Sequence, residues 1–326
     1  MISRGDIMTQ KEQILGAMLG LACGDALGAP AEFHTQQEVH WRWGTLTEMV
    51  GGGLWSPGEW TDDTGMTLCM AEGILENPPD PVPAVGRRFL EWQPTAKDVG
   101  TTISAALSGF QGDWPEAARR TPQAQSGKAA GNGALMRTLP VALAEPNEAR
   151  MLALSARLSA MTHWDPQAEA CCAVYCLWVQ NLLSGQNIKA AWYAALAWAQ
   201  TLAPTPTPDT PGMSPLPAGF WERLHAVEGL AYEALQPSGY AGYVLECLEA
   251  AAWCCLHAQD PEEALVRAVN LAGEADTIAA VAGGILGTFW GPDALPQSWR
   301  DALYERGRLQ DVARHLADLR RVKETL

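Results

Sequence analysis

"ILGAMLGLACGDALGAPA" (Ile14–Ala31) decides how this chain of 326 residues is to be read. The run is nearly uncharged and follows Arg4 and Lys11, as an export signal would. Against that, Asp25 interrupts it and Asp6 and Glu12 spoil the basic leader. A membrane helix needs about 20 apolar residues without a central carboxylate. Gly16, Gly20, Gly24 and Gly28 recur every fourth residue, so they share one helix face and leave it smooth for the close approach of another helix. The spacing predicts a buried core helix, hence a globular protein with helix-on-helix packing.

The rest of the chain agrees. Apolar residues at three- and four-residue spacing dominate, and convincing two-residue alternation is scarce. "TLCMAEGILENPP", "VGTTISAALSGF", "RMLALSARLSAM", "QAEACCAVYCLWVQNLL", "IKAAWYAALAWAQTL", "ERLHAVEGLAYEAL", "YVLECLEAAAWCCLHA", "PEEALVRAVNLAG" and "LQDVARHLADLRRVKETL" all favour helix by length and Ala/Leu content. The expected fold class is all-α. A 48% hydrophobic composition suffices for a large core, and the chain reads as one domain over residues 1–326. Residues 1–11 read as a flexible N-terminus. The Pro-rich "APTPTPDTPGMSPLP" (203–217) reads as a surface loop, because it is too rich in proline for a helix or central strand.

A net charge of −15 and a pI near 4.8 argue against a nucleic-acid polymer as partner, since phosphate-backbone binding relies on clustered Lys and Arg. No membrane partner is expected. A small anionic ligand is compatible, because backbone N–H groups hold phosphates without net positive charge. The eight cysteines form no C-x-x-C pair and sit in apolar runs, the pattern of reduced core residues in a cytoplasmic protein. The 14 tryptophans carry no spacing of a binding platform and read as core or interface anchors.

Two helix starts carry the chemistry. In "EWTDDTGMTLCM" (59–70), Thr61 is suited to cap a helix, with Asp62 and Asp63 in its first turn. Alone, these acids would be read as partners of the helix dipole. Far along the chain, "AGEADTIAAVAGGILGTFW" repeats the design with Glu274, Asp276 and Thr277. Four carboxylates at the starts of two packed helices repel unless cations lie between them, and the neighbouring hydroxyls are further oxygen ligands. That donor set suits two hard divalent ions, Mg²⁺ or Mn²⁺.

An isoprenoid-synthase reading fails because Met66 occupies the third position of D-D-x-x-D; a G-x-S-x-G elbow is absent, and "SGKAAGNGAL" lacks the features of a Walker loop. "GKAAGNGALMR" (127–137) offers glycines that let backbone approach a phosphate, with Arg137 nearby. "THWD" puts His163 at the head of another helix, where a capping or core role is the plain alternative.

Together, "GAMLGLACGDALGAPAEF", "WTDDTGMTL", "GNGALMRTLPVAL", "THWDPQAEAC", "GYVLECLEAAAWC" and "GEADTIAAVAGGILG" resemble, in order, the ADP-ribosylglycohydrolase family, which includes dinitrogenase reductase-activating glycohydrolase. The resemblance implies an all-α, single-domain enzyme with a binuclear Mg²⁺ or Mn²⁺ centre, cleaving the glycosidic bond between ADP-ribose and a protein side chain. By position, Thr61, Asp62 and Asp63 resemble one half of the metal shell, and Glu274, Asp276 and Thr277 the other. The family usually reads Asp-Thr-Asp-Thr there, whereas this chain reads Glu274-Ala275-Asp276-Thr277.

Glu32 matches the family's acid near the scissile bond, and Asp98, followed by Gly100, the acid of arginine-directed members; Asp63 joins them as a catalytic candidate. Gly131, Asn132, Gly133, Ala134 and Met136 resemble the diphosphate and ribose loop, with His163 beside it and Tyr243 in a site-lining motif. ADP-ribosyl-arginine on a modified protein is the expected substrate. The alternatives are serine-linked, polymeric or nucleotide-linked ADP-ribose, or a non-catalytic, crystallin-type member.

Overall fold

Thr9 and Glu12 form a reciprocal capping box: Thr9 N–H donates to Glu12 Oε2 at 2.7 Å and Glu12 N–H to Thr9 Oγ1 at 3.3 Å. The helix they start, Gln10–Gly28, is apolar on all sides and buried almost throughout. The computed structural model describes residues 8–202, 206–235 and 242–325; among these every regular element is helical, and the only β-type contacts are isolated bridges. The all-α expectation holds. Of the N-terminus expected to be flexible, residues 1–7 lie outside the described residues, and helix begins already at Gln10.

The glycine face does what its spacing predicts. It packs against the helix Ala275–Trp290, which carries its own small residues at 279, 283 and 287. A Cβ on Gly20 would sit 2.2 Å from Gly283 O, and one on Gly24 2.0 Å from Ala279 O. Backbone therefore touches backbone, and the two ends of this pair bring Asp25 near Asp276. The Gln10–Ala31 stretch is the one described segment long and apolar enough to cross a membrane, and 94% of its most apolar 18-residue window is buried inside the protein.

Around this pair lie the helices Asp62–Glu76, Pro166–Leu183, Val244–Leu256 and Arg306–Glu324. All eight cysteines are buried and free, as expected. Trp178, Trp192 and Trp299 are core anchors, whereas Trp41 and Trp198 are exposed.

Two expectations need correction. "ERLHAVEGLAYEAL" is not one helix: Phe220–Ala226 gives way to short 3₁₀ turns at Val227–Gly229 and Tyr232–Ala234. Leu230 between them is extended, and its carbonyl accepts from the Trp253 indole at 2.9 Å, so tertiary bonding outbids the local helical pattern. The Pro-rich segment is not wholly superficial either. Thr210 and Met213 are buried, and Gly212 N–H donates to Glu169 Oε2 at 3.1 Å. Residues 203–205 of it lie outside the described residues.

Candidate active site

Thr61 caps the helix Asp62–Glu76 through its own hydroxyl, which accepts from Asp63 N–H at 3.3 Å. A second acceptor braces the same turn. Asp25, fully buried in the glycine-faced helix, accepts from Thr61 N–H (2.9 Å), Thr64 N–H (2.9 Å) and Thr64 Oγ1 (2.6 Å). Helix orphan donors are thus satisfied by a carboxylate that the sequence shows only as an interruption of an apolar run. Asp62 and Asp63 are thereby held in one direction.

The second acidic helix start meets the first. Thr61 Oγ1 lies 3.4 Å from Asp276 Oδ2, and Thr277 Oγ1 lies 3.4 Å from Asp63 Oδ1. Each threonine leans on the other helix's aspartate. Asp63 Oδ2 and Asp276 Oδ1 are buried and have no hydrogen-bond partner. Burial, then Asp276 and Asp25, raise the Asp63 pKa well above the usual range; burial, then Asp25 and Glu274, do the same for Asp276. Burial and Asp98 bring Asp62 to about 7. Burial, Asp276 and Asp62 push Glu32 up to about 11.

These mutual repulsions, with buried carboxylate oxygens that meet no donor, are what a divalent cation would relieve. Among the described residues no three His, Cys, Asp or Glu side chains form a ready-made ligand cluster. The match to a hard cation rests instead on the mixed carboxylate and hydroxyl set, which is all oxygen.

Glu32 reaches the same place from the end of the first helix, after the short turn Ala29–Ala31. A parallel bridge pairs it with Gly273, and Phe33 N–H donates to Gly273 O at 2.7 Å while Gly273 N–H donates to His34 O at 2.8 Å. Phe33 accepts a φ of 60° under this double clamp, a strained conformation for an aromatic residue. Its ring is 71% exposed at the cleft.

The cleft encloses about 600 Å³. One wall is the loop through Gly131, Asn132 and Gly133. A Cβ at 131 would lie 3.0 Å from His163 Nε2 and one at 133 would lie 2.9 Å from His163 Cε1, so a side chain at either position would crowd the buried imidazole. His163 is buried, and burial together with Arg137 lowers its pKa to about 3, so the ring is neutral. Thr162 Oγ1 accepts from Arg137 at 2.7 Å and lies 2.8 Å from His163 Nδ1. The other ring nitrogen, Nε2, lies on the side of Gly131.

Arg137 itself corrects the sequence reading. It is fully buried, donating to Gly133 O at 2.7 Å and lying over the Phe89 ring, so it braces the loop from behind and meets no ligand in the cleft. The cationic side chain that does line the cleft is Lys128.

With the geometry in place, comparison with known proteins decides the class. The sequence matches the ADP-ribosylglycohydrolase family over residues 6–325. The chain belongs to the ADP-ribosylglycohydrolase family. It is 28% identical over 314 residues to the ADP-ribosylarginine hydrolase Tri1 of Serratia proteamaculans, covering 92% of this chain and 78% of that protein. To the ADP-ribosyl-[dinitrogen reductase] glycohydrolase of Rhodospirillum rubrum it is 29% identical over 300 residues, 90% of each. A solved structure of an ADP-ribosylglycohydrolase-related protein complex superposes with a TM-score of 0.75 at 31% identity, covering 96% of this chain and all of that one. At the level of class, the family makes the chain a hydrolase of ADP-ribosyl linkages.

Most residues expected at the site do meet. Glu32, Asp62, Asp63, Asp98, Gly100, Gly131, Asn132, Gly133, Met136, His163, Glu274 and Thr277 line the cleft, with Thr61 and Asp276 buried directly behind it. Two depart. Ala134 is buried off the cleft wall, and Tyr243 points its hydroxyl at Gln167 Oε1 (2.5 Å) and joins the loop through a backbone bridge to Gly131. The sequence reading missed Asp25, Phe33 and Lys128. A lone carboxylate on a glycine-lined helix was the available signal for Asp25, because an apolar helix keeps such a group only if buried donors meet it.

Proposed function

We propose that this chain is a divalent-cation-assisted ADP-ribosylhydrolase acting on ADP-ribosyl-arginine in a modified protein. The observation that carries the reading is the meeting of Asp63 with Asp276 and Thr277, with one buried oxygen of each aspartate unpartnered, beside Asp62, Glu32 and Asp98 in one cleft. Thr61, Asp62, Asp63, Asp276 and Thr277 would hold the two ions, Mg²⁺ or Mn²⁺, that the family resemblance implies. Bound there, the ions would offset the carboxylate repulsion and supply Lewis-acid polarisation at a substrate oxygen.

The remaining chemistry belongs to the chain. Glycoside cleavage develops oxocarbenium character at the anomeric carbon, and the acidic floor stabilises positive charge there. Glu32, at the cleft edge, orients the attacking water or passes a proton at its carboxyl oxygen to the departing group. The backbone of Gly131 to Gly133, the neutral His163 ring and Lys128 face the anionic diphosphate. Asp98 offers a carboxylate to a cationic guanidinium, which supports arginine over serine as the linked residue. The name of the Serratia relative supports the same choice. The eight free, buried cysteines support a reducing cytoplasmic setting.

The test is a panel of arginine-, serine- and polymer-linked ADP-ribose substrates, assayed with Mg²⁺ or Mn²⁺ and after chelation, alongside Asp98→Asn. Release of ADP-ribose from arginine that needs the ion and falls in Asp98→Asn supports the reading. Efficient cleavage of the serine linkage with none of arginine overturns the substrate, and full activity after chelation overturns the cation.

A further inference from the structure

We propose that Glu274, where the family resemblance leads one to expect an ion-binding aspartate, is a positioning residue that latches the Asn132 loop to the acidic helix start. The inference rests on the proposed cation-assisted reading of the site and names what one member of its acidic set does.

Glu274 holds the cap position of the helix Ala275–Trp290, yet its side chain makes no bond to that helix. It turns instead across the cleft, where Oε2 accepts from Asn132 Nδ2 at 2.9 Å. A carboxylate only accepts, so the amide must present its NH₂ here, which fixes the orientation of Asn132. The Asn132 backbone is pinned in turn: its N–H donates to Gly242 O at 2.7 Å, and Val244 N–H donates to Ala130 O at 3.0 Å.

Gly242 completes the unit. Its φ of 77° suits glycine, and a Cβ there would lie 3.4 Å from Glu274 Oε2 and 3.5 Å from Asn132 Oδ1. Asp63 and Asp276 each give one oxygen to a threonine of the opposite helix start and keep one buried oxygen without a partner, whereas Glu274 gives an oxygen to the loop. An aspartate at 274 would retract the carboxylate by about 1.5 Å, one carbon–carbon bond, and lose Asn132. The longer arm is therefore what joins the cation side of the cleft to the wall that faces ADP-ribose.

The experiment is isothermal titration of the full chain, first with Mn²⁺ alone and then with ADP-ribose at saturating Mn²⁺. The proteins are wild type, Glu274→Gln, Glu274→Asp, Asn132→Ala and the double variant Glu274→Asp/Asn132→Ala. Glu274→Gln keeps an acceptor for Asn132 without the charge and is the variant safest for folding. The latch predicts that Glu274→Gln weakens Mn²⁺ less than tenfold and leaves ADP-ribose affinity near wild type.

Glu274→Asp and Asn132→Ala should each weaken ADP-ribose by about tenfold, the cost of a hydrogen bond to a charged group, and the double variant no more than the worse single one. A loss of Mn²⁺ affinity of tenfold or more in Glu274→Gln overturns the latch and makes Glu274 an ion ligand. Additive losses in the double variant also overturn it. Wild-type protein that binds neither Mn²⁺ nor ADP-ribose overturns the functional reading itself, a result distinct from either.

Discussion

Replacing one glycine by alanine should have opposite signs at two places in this molecule. In an exposed helix, Gly→Ala gains about 1 kcal/mol from backbone entropy and propensity. At Gly307, in the helix Arg306–Glu324, an added Cβ meets nothing within 4 Å, so Gly307→Ala should stabilise by up to that amount. At Gly24 the same Cβ would lie 2.0 Å from Ala279 O and 2.4 Å from Ala279 C. Ordinary contact needs about 3.5 Å, so one helix must retreat by about 1.5 Å. The obstacle is backbone inside a helix, which has no alternative rotamer to adopt.

Overpacking of this kind costs about 1–3 kcal/mol, and a rigid carbonyl puts it at the upper end. The clash wins over propensity, leaving Gly24→Ala about 2 kcal/mol less stable than wild type. Urea unfolding followed by far-UV circular dichroism reads both variants against wild type. Since Asp25 adjoins Gly24 and the Cβ of Gly28 would lie 2.4 Å from Asp276 Cα, the displacement should also weaken Mn²⁺ binding. If Gly24→Ala proves as stable as Gly307→Ala, the close contact of the two helices is refuted.

Asp63→Asn removes one of the buried, mutually repelling carboxylates, so in chelator it should unfold on the order of 1–3 kcal/mol harder than wild type while losing stabilisation by added Mn²⁺; thermal melts with and without the ion check both. Asp25→Ala strands the N–H groups of Thr61 and Thr64 and should cost about 3 kcal/mol in urea; a loss below about 1 kcal/mol would contradict the bracing role. Burial raises Glu169 from 4.5 to about 7. A raised carboxylate binds its proton more tightly when folded, so its stability contribution is full below pH 4.5 and lost as pH rises through 7. Relative to wild type, Glu169→Gln should abolish a decline on the order of 2 kcal/mol across that window, measured as urea midpoints at several pH values.

Helix content, the glycine face of the first helix, the capped "TDDT" start and its acidic counterpart at Asp276 and Thr277 were legible in the sequence. They are local: period, caps and small residues act within a few turns. The sequence alone also set a limit on partners through charge.

The tertiary structure decided which polar groups face which. Arg137, near the glycine loop in sequence, is directed inward by Gly133 O and Thr162 because a buried guanidinium must find acceptors. Asp25, an apparent blemish in an apolar helix, becomes the acceptor for Thr61 and Thr64 N–H, 36 and 39 residues away along the chain, and so orients Asp62 and Asp63 between them. Glu274 turns to Asn132, 142 residues distant. Such pairings depend on three-dimensional proximity and on the cost of an unmet buried donor or acceptor, which no periodicity encodes.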